Sequence, residues 1–548
     1  MEEQAKSIQT KKIRFNVTNA AALLMFATFF SQLLGFLRTK LVNANFPILG
    51  PHSTDAYFAA FNIPDLFFFT LSAGVLGVAL LPVLSDRIHS KGSKSAWELA
   101  TSILNLLAVV MFILGFLTLI FAHQLIQYIV APNLPPADIN TAADIMRFLA
   151  FNPLLFTISG ILTSVQQSLG KFFFYAIAPL FYNTAIIISI FVFKDNIGIV
   201  GLGIGALVGA ILQLIVVIIG AYNSNFHSNP RIMWRNKDFR TVLKNLPPRS
   251  LDQGMDQIEA IVETRVASGL GVGSITNYNN AYILSTAPIL LLGTAISTAV
   301  FPKLSLRLSQ NRPDLFRKEF LKVLRVMIWL SAPVVVVGYY CRGYLARLIY
   351  SQGNQQISNI FGYLALAIFF GILYSIISRW FYAHKDTKTP LFVSIFTIAL
   401  NIFLAIVLSR PSMYGVTGLA LAQSIVAASE VLILLLIMIK RDHKLINLQF
   451  ISGLIRIISV TGFSMVAGFI MISLFPLYIS EKGIFILGSR LLLIVGVTMS
   501  VHILMSAIFD VEEVRPLLKR IKQIITKPVK FEMVPVNSSN LSASVDLP

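Results

Sequence analysis

Fourteen long apolar stretches run through this 548-residue chain. Each is long enough to cross the ~30 Å hydrocarbon core of a bilayer as an α-helix of about 20 residues. Lipid offers no partner to backbone N–H and C=O groups, so only helices or closed barrels can span it. Charged residues are 13% of the chain, against roughly 25% in soluble domains. The fold class expected is therefore an all-α polytopic membrane protein.

The net charge of +19 could suggest nucleic acid as a partner, but its distribution argues against that. Of the 44 Lys and Arg residues, 32 fall in alternate loops and at the two ends, and only 5 in the intervening loops. Such a bias orients a membrane protein with its basic loops in the cytoplasm, and here both termini with them. The charge reports topology and affinity for anionic lipids, not nucleic-acid binding.

The chain also repeats itself. A-L-L-P-V-L-S-D-R near the end of the second helix returns as A-V-F-P-K-L-S-L-R near the end of the eighth, so that Pro82 and Arg87 match Pro302 and Arg307. Asn183 and Asn401 correspond in helices five and eleven, and V-G-L-G-I-G-A near 200 resembles T-G-L-A-L-A near 417. An even number of helices per repeat gives two halves of like orientation, related by an axis along the membrane normal, with a site between them. The expected organisation is a cytoplasmic segment 1–15, an N-lobe of six helices over 16–223, a C-lobe of six over 224–440 and two added helices over 441–510. The tail 511–548 begins with V-R-P-L-L-K-R-I-K-Q-I-I, which reads as a basic amphipathic helix at the membrane surface, and ends in a segment without a core-forming pattern.

Function is sought where charge sits at bilayer depth. Ionisable groups there face a cavity or a partner. Arg38 interrupts the first helix, and Asp55 and Asp65 lie in the second with Pro64 between them. Arg38 reads either as a substrate-facing group or as a structural partner of Asp55 or Asp65. In the seventh helix Asp252, Asp256, Glu259 and Glu263 follow at steps of four, three and four, which places them on one face. The outermost two can simply be solvated; the deeper ones suit a cavity wall, a Na⁺ site or a proton relay. Glu430 is isolated in helix twelve, and Arg379, Arg456 and Arg490 read as anchors. The chain lacks a phosphate-binding loop and a nucleophile elbow, and its seven histidines are scattered. A transporter fits better than an enzyme. Cys341, the one cysteine, excludes an intramolecular disulfide.

At these residues the chain resembles the MurJ/MviN family of lipid II flippases, within the multidrug/oligosaccharidyl-lipid/polysaccharide exporter superfamily. The likeness rests on L-G-F-L-R at 34–38, D-A-Y-F-A-A-F-N-I-P-D-L at 55–66, L-P-V-L-S at 81–85, Q-I-E-A-I-V-E-T-R-V-A-S-G-L-G-V-G-S at 257–274 and F-Y-A-H-K-D-T-K-T-P at 381–390. It covers essentially the whole chain. The resemblance implies translocation of an undecaprenyl-linked pyrophosphate sugar across the bacterial cytoplasmic membrane by alternating access, with the cell-wall synthesis machinery as a partner.

It also implies site residues. Arg38 takes the place of one of the family's cavity arginines, with Asp55 and Asp65 beside it as substrate-binding candidates. Glu263 and Asn401 take the places of cation-site residues, for Na⁺ or H⁺, with Glu259 and Asp256 on the same stripe. Other positions depart from the pattern: Gln32, Phe68, Phe69 and Ile283 stand where arginines are expected, and Thr39, Ala73 and Ala405 where acids are. These departures keep two rivals open on the same fold. One is a cation-coupled exporter of amphipathic cations, the other a non-transporting scaffold.

Overall fold

The computed structural model describes residues 17–73, 80–222, 232–245, 247–350, 354–478, 481 and 483–526. The segment 1–15 and the end of the tail fall outside them. All regular structure among the described residues is helical. The N-lobe holds α1 (Val17–Asn45), α2 (Thr54–Phe67), α3 (Ser93–Gln124), α4 in two pieces (Pro136–Leu149 and Asn152–Ser168), α5 (Phe173–Phe193) and α6 (Gly201–Tyr222). The C-lobe holds α7 (Pro247–Ser268), α8 (Ser274–Pro288), α9 (Pro313–Tyr340), α10 (Asn354–Ala383), α11 (Lys388–Leu408) and α12 (Val416–Arg441), and α13 (Leu448–Leu474) and α14 (Ile484–Ile508) follow. Among the described residues 11 helical runs are long and apolar enough to cross a membrane. The first, second and seventh are not among them, and these carry Arg38, Asp55, Asp65 and the acidic stripe.

The repeat is visible in the backbone and in the packing. α2 passes into a π-helical turn at Phe68–Ala73 and α8 into another at Ile289–Thr294. In each half the first helix packs on the fifth, the second on the fourth, and the fifth on the sixth. Small residues permit the closest of these approaches, as in membrane helix pairs generally. A Cβ at Gly205 of α6 would run into the Ser189 side chain of α5, and one at Gly418 of α12 into the Leu408 carbonyl oxygen. The two glycine-bearing motifs recognised in the sequence are thus the contact faces of equivalent helices.

Arginines pin the lobe margins. Arg325 of α9, almost wholly buried, pairs with Glu512 and Glu513 beyond α14. Arg441 at the end of α12 bonds Asp386, which also accepts hydrogen bonds from the first N–H groups of α11. Burial works against the Asp386 carboxylate, but the bonds from Thr389 and Arg441 outweigh it and hold the group well below the usual carboxylate range. Arg379 lies over the Phe301 and Tyr382 rings, Arg456 donates to the Asp510 carbonyl and Arg490 pairs with Glu481. These contacts tie each guanidinium to a neighbouring part of the chain.

Candidate substrate cavity and carboxylate pair

Where the lobes face each other they enclose a cavity of about 620 Å³, lined from α1, α2, α7, α8, α11 and α12. Arg38 of α1 and Asp65 of α2 line its N-lobe wall; Asp256, Glu259 and Glu263 of α7 and Glu430 of α12 line the other. Arg38 is half-buried, and among the described residues it makes neither a hydrogen bond nor an ion pair. It forms no ion pair with Asp55 or Asp65 among the described residues, although it lies near enough to Asp65 for the two charges to interact. A guanidinium in this position presents its planar donors to whatever enters.

Asp55 does not belong to the cavity, and its assignment to substrate binding is corrected. It is wholly buried. Its carboxylate accepts from Gly273 N at 2.7 Å, Thr276 N at 2.7 Å and the Thr276 hydroxyl at 2.6 Å. Those N–H groups open α8, where a helix lacks internal partners for its donors and favours a negative charge. Gly273 holds a left-handed φ of 88° that lets the chain turn onto the carboxylate. Asp55 is an N-terminal cap supplied by the other lobe. Asp65, ten residues further along α2, lines the cavity wall.

The helix-seven stripe resolves into two parts. Asp256 is exposed to the cavity, whereas Glu263 is only 7% exposed, and the side chain of Asp252 lies outside the described residues. Glu259 and Glu263 form a pair tied by two amides. Gln423 Nε2 donates to Glu259 Oε1 at 2.9 Å and to Glu263 Oε1 at 3.0 Å. Asn401 Nδ2 donates to the same two oxygens, and the Tyr278 hydroxyl donates to Glu263 Oε1 at 2.8 Å. Asn401 is wholly buried behind the pair, and its Oδ1 has no partner among the described residues. Spacing alone brought out the carboxylates. Gln423 and Tyr278 were missed, since a single amide or phenol on an apolar helix carries no periodic signal.

The positions that depart from the family pattern are filled coherently. Phe68 packs edge-on against Phe69 and Phe156, and Phe156 against Tyr182, so aromatic rings occupy the N-lobe where guanidinium groups were expected. Ile283 lines the cavity, Thr39 is buried and bonded to the Gly35 carbonyl, and Ala405 is buried. The Ala73 side chain lies outside the described residues.

The far end of the cavity from the basic loops is closed by contacts between lobes. Asn43 of α1 bonds Asn280 of α8, Thr54 bonds Thr276 at 2.9 Å, and Arg265 of α7 donates to the Tyr128 and Ile129 carbonyls that end the α3 run. A second space, an apolar groove of about 1250 Å³, lies between the C-lobe and α13 and is lined by Leu324, Phe369, Leu435, Leu454 and Ile458 among others.

Comparison with known proteins agrees with this architecture. A family model described as "Lipid II flippase MurJ" matches residues 48–496. A relative from Borreliella burgdorferi described as "Probable lipid II flippase MurJ" is 25% identical over 464 residues, covering 83% of this chain and 87% of its own. A solved structure described as "Lipid II flippase MurJ, inward closed conformation" superposes with a TM-score of 0.75 at 24% identity, over 91% of this chain and 100% of that one. An inward-facing multidrug resistance MATE transporter superposes with a TM-score of 0.63 at 15% identity, over 76% of this chain and 95% of that one, which is likeness of fold. With the match spanning most of its length, the chain belongs to the MurJ lipid II flippase family.

Proposed function

We propose that this protein carries a lipid-linked pyrophosphate glycan, lipid II or a close relative, across the bacterial cytoplasmic membrane. The single observation that carries the reading is the Arg38 guanidinium, which lines a cavity between two lobes and has no hydrogen bond or ion pair among the described residues. Arginine matches phosphate oxygens with two parallel hydrogen bonds, and such charge-assisted bonds are roughly twice as strong as neutral ones. The headgroup enters between the lobes from the basic-loop side, which the charge bias places in the cytoplasm together with both termini. Its undecaprenyl tail stays outside the lobes, in the apolar groove beside α13. The lobes then rock about the site and the latch at the other end opens. No bond in the substrate is broken.

The Glu259–Glu263 pair takes the coupling cation, a proton or Na⁺. Two carboxylates this close and this far from water favour any cation that neutralises one of them. The donor set suits a proton directly. Na⁺ needs the Asn401 amide turned over, so that Oδ1 instead of Nδ2 meets the pair. The basic helix Arg515–Thr526, with Leu517 and Leu518 partly exposed, rests on anionic lipid of the same leaflet.

A cell depleted of its own flippase tests this reading. The native chain should restore growth, and Arg38→Ala, expressed to the same level, should not. Full rescue by Arg38→Ala removes the assigned role.

A further inference from the structure

We infer that the apolar groove beside α13 holds an anionic phospholipid of the outer leaflet, with its phosphate seated on Arg342. The site is separate from the cavity between the lobes. It rests only on the orientation given by the basic loops, which makes the Tyr340 end of α9 the outer one.

The groove follows α9 from Leu321 to Tyr339, about 27 Å at 1.5 Å per residue. That is close to the ~30 Å depth of the hydrocarbon core. At its inner end Arg325 reaches against Gly453 of α13 and is taken up by Glu512 and Glu513. At its outer end Tyr339 and Tyr340 line the wall, and Arg342 lies against them.

Only five basic residues fall in the outer loops, and two of them, Arg342 and Arg347, share the short helix Arg342–Ile349. Positive charge on that side works against the topology signal, so its concentration here calls for a local reason. Arg347 donates to the Tyr478 carbonyl. Arg342 is held by the groove itself. Its guanidinium lies 4.5 Å from the centroid of the Tyr339 ring, and its Nη1 donates to the Tyr339 carbonyl at 2.7 Å. A Cβ at Gly362, another lining residue, would lie 3.0 Å from its Cδ. An arginine that only anchors a helix end extends its charge into water, whereas this one is folded back on the rim. It pairs with no carboxylate among the described residues. The ring and the one backbone bond fix its plane and leave its other donors to a ligand. The Tyr339 and Tyr340 hydroxyls also lack hydrogen bonds among the described residues.

A phosphate diester joined to acyl chains matches both parts of the site. Its oxygens accept charge-assisted bonds from the guanidinium, and its chains lie along the apolar walls. A soluble phosphate would leave the groove unfilled, and an uncharged lipid would leave Arg342 unmatched. A choline headgroup would bring like charge toward Arg342 and Arg347, so an anionic headgroup is preferred. On the transport reading, the undecaprenyl tail has to displace this lipid before a headgroup is carried.

The test titrates the full-length protein in detergent with phosphatidylglycerol and with phosphatidylcholine, and counts bound lipids by native mass spectrometry. Native protein is compared with Arg342→Ala and with Leu366→Trp, each verified to be folded by its Tm. Leu366 lines the groove and is half exposed, so the larger side chain narrows the groove and leaves Arg342 in place. The basic helix Arg515–Thr526 also attracts anionic lipid, so the site is read as the difference between native protein and variant. The native protein should hold one phosphatidylglycerol about tenfold more tightly than phosphatidylcholine. Arg342→Ala should lose that preference, and Leu366→Trp should lose the tightly held lipid. Equal affinity of the native protein for the two lipids overturns the site. A preference unchanged in Arg342→Ala overturns the seat of the phosphate, and one unchanged in Leu366→Trp overturns the placement of the chains. The readout is lipid binding, so failure here leaves the flippase reading as it stands.

Discussion

The side-chain amides of Asn43 and Asn280 are hydrogen-bonded to each other twice, at 3.1 and 2.9 Å, although they stand in different lobes. Both residues are fully shielded from solvent. With Asp55 capping α8 from α2, they fasten the end of the cavity farthest from the basic loops. At the other end, Asp256 is exposed. The structure is therefore that of a carrier closed on one side, and any path to the opposite state has to exchange these bonds for water.

That exchange has an unusual signature. Removing Asn43 leaves the Asn280 amide buried without its partner, and removing Asn280 leaves Asn43 Oδ1 without its donor while Nδ2 keeps its bond to the Thr39 carbonyl. Each change costs the closed state about 1–3 kcal/mol, whereas removing both can be nearly neutral. Asn43→Ala and Asn280→Ala alone should each raise the outward-open population more than the double variant does. Labelling of Tyr57→Cys from the outside, in a Cys341→Ser background, reads that population. A double variant that opens as far as the sum of the singles would show that the pair is not the latch.

Asp55→Ala should destabilise the folded protein by about 1–3 kcal/mol, since it leaves the Gly273 and Thr276 N–H groups without their acceptor. A lower Tm in detergent checks this. A variant with native Tm that has lost headgroup binding would return Asp55 to the substrate site.

Transport by the native protein should accelerate about tenfold or more when a proton or Na⁺ gradient is imposed, and Glu263→Gln and Glu259→Gln should abolish the response. Rates that are the same with and without either gradient, in native and variant proteins alike, would remove the coupling role of the pair.

Much of this was legible in the sequence because it follows from periodicity. The all-helical membrane architecture and the stripe of carboxylates on α7 are consequences of apolar run length and helical spacing. Arg38 stood out because a charge within an apolar run has few acceptable places. Asp55 looked the same by that criterion and proved different. What distinguishes it is the start of α8, 218 residues further along, and no local pattern reports an encounter of that kind. Asn401 was legible through the repeat and the family resemblance, but Gln423, which holds the same carboxylate pair from helix twelve, carries no periodic signal, and the ring cluster of Phe68, Phe156 and Tyr182 depends on the packing of three helices. Local pattern gave the walls, and tertiary contact decided which residues face inward.

The most direct measurement is flipping of an undecaprenyl-pyrophosphate glycan in proteoliposomes by the native protein, Arg38→Lys and Arg38→Ala, each verified to be folded by its Tm. A lysine keeps the charge but not the two-pronged geometry. Loss of a charge-assisted phosphate contact of about 1.5–3 kcal/mol predicts that Arg38→Ala slows flipping by about tenfold to a hundredfold, with Arg38→Lys between. Flipping by a folded Arg38→Ala at the native rate would contradict the account.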